Sequence, residues 1–178
     1  MADDKKEPWL NWLALTTVIL AVCATMATFK GGGHSTKSVM SQTKASDQWA
    51  YYQAKSIKGY IYDLQRDKLQ LELKANAASL SPELQKDYTD RILSYKEKVD
   101  TYETEKTGIK KKAQELEDFR DLCSKHSGAF GMAVIFLQIA ILLSSIAALL
   151  KKKPLWLAGL VVGAVGIVHF VNGFYLFM

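Results

Sequence analysis

Cys123 and His126 stand three residues apart, which puts a thiol and an imidazole on one face of a helix, and His34 sits just beyond an earlier apolar run. If both stretches meet at one membrane surface, the three side chains form a candidate three-ligand metal set, since thiolate and imidazole are ligand types that zinc takes. No fourth ligand accompanies them, and a cysteine on a helix seam is most often a small buried hydrophobe. The same Cys–His pair lacks the orienting acid and oxyanion donor that nucleophilic catalysis requires. No catalytic constellation is identifiable, and no cofactor is implied. Lys30-Gly31-Gly32-Gly33-His34 is not a phosphate loop, because no strand precedes it and the Lys-Ser/Thr spacing is missing.

Gln138, His169 and Asn172 are the strongly polar side chains inside otherwise apolar runs. Ionisable groups in lipid mark ion or proton paths, but polar groups also hold membrane helices together by bonding across them. His169 and Asn172 share a helix face near the end of their run, which favours the structural role.

The elements that position these residues follow from hydropathy. Residues 9–29, 130–150 and 155–177 are apolar runs of membrane-spanning length, and a basic turn at 151–154 joins the last two. A short charged tail occupies residues 1–8. A cleavable signal peptide is the competing reading of the first run, with Lys5 and Lys6 before it and Thr25-Met26-Ala27 near its end; a retained anchor is expected. Three consecutive glycines carry a large helix penalty, so residues 30–43 are expected to form a juxtamembrane linker where the first helix ends or hinges.

Residues 44–127 form the helical middle. Apolar residues recur there at alternating spacings of three and four, the period that faces one stripe of a helix toward a partner. One stripe runs Ala50, Ala54, Ile57, Ile61, Leu64, Lys68, Leu71, Ala75 and Ala78. The other runs from Leu84 through Tyr88, Ile92, Tyr95, Val99, Tyr102, Lys106, Ile109, Ala113, Leu116 and Arg120 to Cys123. Between them Ser81-Pro82-Glu83 offers an N-cap, a proline at the first helical position and an early carboxylate, so a new helix should begin at Pro82. The expected fold is all-α: three transmembrane helices and an antiparallel coiled-coil hairpin.

Trp49, Tyr52 and Tyr60 lie to one side of the first stripe, more aromatic surface than one seam requires. Together with the small-residue stripe Gly159, Gly163 and Gly166 in the last span, they are the expected oligomer interface. The segment Lys44 to Lys58, KASDQWAYYQAKSIK, resembles the signature of an uncharacterised domain-of-unknown-function family of small bacterial membrane proteins. These have an N-terminal anchor, a helical middle and two C-terminal spans. The resemblance implies a bacterial inner-membrane protein and supplies no activity, cofactor or site residue.

The net charge of +5 is not that of a nucleic-acid binder, because residues 30–125 carry 18 basic against 15 acidic residues, an ordinary solvated helical surface. The positive-inside rule counts short loops, so Lys151–Lys153 and the N-terminus are expected in the cytoplasm and the hairpin outside it. The expected partners are the lipid bilayer, further copies of the chain and a larger membrane complex. The expected function is a homo-oligomeric scaffold or accessory subunit. The alternative is a channel or transporter component with His169 and Asn172 near a polar intramembrane path.

Overall fold

The computed structural model describes residues 8–178 as three helices: α1 Pro8–Asn76, α2 Pro82–Leu150 and α3 Lys153–Tyr175. The charged tail expected over residues 1–8 therefore lies, apart from Pro8, outside the described residues. All three helices are long and apolar enough to cross a membrane. The described residues fall into two compact units: residues 8–40 with Phe119–Met178, and Ser41–Asp118.

The first unit is a three-helix apolar bundle. At one end the Trp9 and Trp156 rings lie 6.1 Å apart and Trp156 Nε1 donates to Thr16 Oγ1 at 3.2 Å. At the other end Ser127 Oγ donates to the Gly31 carbonyl at 3.1 Å and Gly173 packs on Phe130. Hence α1 and α3 run one way and α2 the other. The core gathers Leu20, Ala24, Ala27, Phe130, Ala133, Leu137 and Ala140. In lipid, where apolar surface gains nothing from leaving the solvent, helices associate by close packing, and small residues permit it. A Cβ at Gly166 would lie 2.9 Å from Leu137 Cγ, and one at Gly173 2.6 Å from the Phe130 ring. Gly163 meets both Leu20 of α1 and Ala140 of α2, and Gly159 lies on Ala140, Leu143 and Ser144. The glycine stripe assigned from sequence to contacts between copies is thus consumed inside the chain.

The turn between α2 and α3 closes through Lys151, whose φ of 49° is left-handed, with Lys152 N–H donating to the Ala147 carbonyl at 3.1 Å. Pro154 opens α3, where its missing N–H is no loss.

The hinge expected at residues 30–43 is absent, because α1 is helical without interruption from Pro8 to Asn76. Three glycines cost a helix roughly 1 kcal/mol each relative to alanine. Tertiary contacts offset part of that cost, since Gly31 is buried against Phe130 and bonded by Ser127.

The second unit is the antiparallel hairpin. Its turn follows the sequence signals: α2 begins at Pro82, and Leu84 N–H donates to Ser81 Oγ at 3.3 Å. The α2 stripe lies in the seam as expected, with Lys106, Ala113 and Cys123 buried and most of its other members half-buried; Leu84 is exposed. The α1 stripe does not. Ile57, Ile61, Leu64 and Leu71 are 59%, 48%, 73% and 68% exposed, and the face that meets α2 carries Ala45, Tyr52, Lys55, Gly59, Tyr62 and Arg66.

The physical reason lies in the side chains of the hairpin itself: Tyr52, Lys55 and Tyr62 find aromatic and charged partners on α2. Counting in sevens along this arm gives Ser41, Gln48, Lys55, Tyr62 and Leu69, and all of these are buried or half-buried. A seven-residue step keeps one face of a helix toward its partner. The row of larger apolar residues is left on the other side.

Candidate functional site

His34 and His126 do meet, but as a stack. Their rings are 4.7 Å apart and inclined by 21°, and His34 also lies 6.1 Å from the Phe130 ring. His126 Nδ1 is 2.8 Å from the Gly173 carbonyl, so this pair ties α1, α2 and α3 together at one level. Burial lowers the pKa of His34, and the charges of His126, Lys37 and Lys30 lower it further. Its Nδ1 is buried without a hydrogen-bond partner. Cys123 is buried in the α2 seam and does not join the imidazoles. Among the described residues no group of three His, Cys, Asp or Glu gathers to hold a metal. His34 and His126 therefore form a packed junction without Cys123, because two rings stacked face to face do not aim their nitrogens at a common centre.

The intramembrane polar residues divide in the same way. His169 lies flat on Phe136, with centroids 5.5 Å apart and planes 4° apart. Asn172, only 5% exposed, accepts at Oδ1 from the Met178 N–H (2.9 Å) and through its carbonyl from the Leu176 N–H (2.8 Å). It fastens the chain after α3 has ended. Both residues line a groove of 640 Å³ with Lys125, Gly128 and Met132. Gln138 faces outward from α2.

In the hairpin, Trp49 and Tyr52 belong to the seam, contrary to the expected interface between copies. Trp49 Nε1 donates to Glu117 Oε1 at 2.9 Å, and its ring meets Tyr52 edge-on at 5.6 Å. Farther along, Tyr62 stacks on Tyr102 (5.9 Å) and packs against Tyr95 (5.5 Å), with Lys98 Nζ 4.7 Å above its ring. Lys106 is buried between Tyr52 and Tyr60 and bonded to Glu103 at 2.7 Å, a partner that holds its pKa above the ordinary value. Lys55 pairs with Glu105 across the arms. Tyr60 alone of the three aromatics stays largely outside, 66% exposed, on the side of the outward row.

Three helices fit to cross a membrane, two of them continuing into a water-compatible hairpin, define an all-α membrane protein with no strand among its described residues. The chain belongs to the family described as a domain of unknown function, DUF4337, which it matches over residues 9–176. No curated protein and no solved structure matches it significantly.

Proposed function

We propose that the protein is a homo-oligomeric scaffold or accessory subunit of the bacterial inner membrane that self-assembles through the outward face of the α1 arm. The observation that carries this reading is the row Ile57, Ile61, Leu64 and Leu71, repeated at helical spacing and open to water beside exposed Tyr60. Contiguous apolar surface on an otherwise charged hairpin marks an interaction site. Copies inserted in one bilayer share one orientation, so their α1 arms run parallel and a two-fold axis along the membrane normal brings like row to like row. Gln138 extends the same logic to the spans, because an outward amide in lipid is satisfied by bonding across to a neighbouring helix. In this reading the N-terminus and Lys151–Lys153 are cytoplasmic and the hairpin is extracytoplasmic.

The test is the mass of the full chain extracted in mild detergent, by native mass spectrometry. Ile61→Lys combined with Leu64→Lys should shift it to the monomer while leaving helical content unchanged. An unchanged oligomer removes the proposal, and a stoichiometric foreign subunit lost with the same pair of changes makes the protein an accessory one. A channel component is the second reading, favoured by the groove that His169 and Asn172 line. Ion flux in proteoliposomes that His169→Leu abolishes would carry it.

A further inference from the structure

We infer that the groove between α2 and α3, at the end of the bundle where α3 stops, binds one anionic phospholipid. The groove arises from unequal helix lengths. α3 ends at Tyr175, and Leu176, in the left-handed region at φ 50°, turns the chain so that Met178 is fastened to Asn172. α2 extends beyond this point toward Pro82, so its Leu122 and Lys125 stand over the end of α3.

The lining changes character along its length as a phospholipid does. Lys125 supplies a cation at one end, Met132 and Ala129 an apolar wall at the other, and His169 and Asn172 hydrogen-bonding groups beside them. From Lys125 to Met132 the helix rises about 10 Å. The interfacial layer on each side of a bilayer is about 5–8 Å thick, so a lysine at the level of phosphate puts Met132 against the first methylenes. Phe136 is a further turn of α2 along, so the imidazole held flat on it lies beside the upper acyl chain.

Two further observations point the same way. Gly128 lines the groove, yet a Cβ there would meet nothing within 4 Å, so no contact inside the chain demands glycine. A side chain at this position would occupy the groove. Asp121, one turn from Lys125, is bonded to Arg120 at 2.8 Å, and the Lys125 charge bears on it more weakly than that guanidinium does. The shared chemistry is a phosphate monoanion, and what separates a lipid from free phosphate is the apolar half of the lining.

The experiment is native mass spectrometry of delipidated full-length protein titrated with phosphatidylglycerol, with phosphatidylcholine, and with inorganic phosphate as competitor. One phosphatidylglycerol per protomer is expected, retained in preference to phosphatidylcholine. Lys125→Glu, which reverses the charge facing the phosphate, should weaken it at least about tenfold. Gly128→Leu should exclude it, and Lys151→Glu, in the turn at the opposite end of the bundle, should leave it unchanged. Equal retention of the two lipids, or full affinity in Lys125→Glu protein that melts as the wild type does, overturns the site. Displacement of the lipid by millimolar phosphate overturns the lipid assignment. Oligomer mass is read in the same spectrum, so loss of lipid with intact assembly separates this inference from the self-assembly reading.

Discussion

The bundle and the hairpin share the same two long helices, with α3 added in the bundle, but their seams are made of different side chains. In the bundle Ala24, Ala27, Ala133 and Ala140 are buried beside the α3 glycines, and helices touch through small residues. In the hairpin the seam holds Tyr62, Tyr95 and Tyr102 under lysine ammonium groups, with Lys55 paired to Glu105 and Trp49 bonded to Glu117. Lipid supplies no hydrophobic drive between apolar helices, so the bundle depends on close approach. Water supplies that drive, yet the hairpin leaves its most regular apolar row outside and joins its arms by aromatic stacking and charge. The bundle packs its small residues within one chain, whereas the hairpin leaves a row of apolar residues exposed.

The largest effect that would break this contrast lies in the bundle. Gly173→Leu drives a side chain into the Phe130 ring, where even a Cβ has only 2.6 Å. Its cost should exceed about 3 kcal/mol, the upper end for overpacking, because the ring is buried and cannot yield. Thermal unfolding in detergent would record it as a large drop in midpoint or as failure to accumulate. A wild-type midpoint would mean that α3 is not seated on Phe130.

The next test sharpens the hairpin side by comparing adjacent residues of α1, one exposed and one in the seam. Tyr62→Ala removes a ring stacked between two tyrosines and a lysine, and should cost about 1–3 kcal/mol. Ile61→Ala shortens a side chain that is 48% exposed, so in monomeric protein it should cost less, within about 0.5 kcal/mol. Equal costs, or the reverse order, would return the seam to the Ile57–Ile61–Leu64 row.

That reversal is what hydropathy alone predicts, and it shows where the residues spoke and where they did not. The three spans, the turn at Ser81-Pro82 and the α2 seam all follow from local pattern, because each depends on residues close together in the chain. The α1 seam is different, because which face of that arm meets α2 is decided by partners far along the chain: Tyr62 by Tyr95 and Tyr102, and Lys55 by Glu105. An apolar row at regular spacing reads as the inner face when those partners are left out. A local signal is the seven-residue step Ala45, Tyr52 and Gly59, each buried or half-buried. For the candidate sites, His34 follows the first apolar run and His126 precedes the second, which puts both at one end of the spans, but only side-chain geometry distinguishes a stack from a ligand set. The groove beside Lys125 could not be found by motif, since it exists only where α3 ends against a longer α2.

The smallest expected effect concerns the three consecutive glycines of α1. Gly31 is held by Phe130 and Ser127, but a Cβ at Gly32 would meet nothing within 4 Å. If the contacts within the chain are the whole of the matter, Gly32→Ala should stabilise the protein by about 0.5–1 kcal/mol, the helix cost of an unneeded glycine. Gly31→Ala should not, since its Cβ would come within 3.0 Å of Phe130 Cβ. Unfolding midpoints of the two variants at a protein concentration where the chain is monomeric give this comparison directly. A gain in the monomer that turns into a loss in the assembled protein would place a neighbouring helix against Gly32, extending the unfinished face of α1 from the hairpin into the membrane boundary.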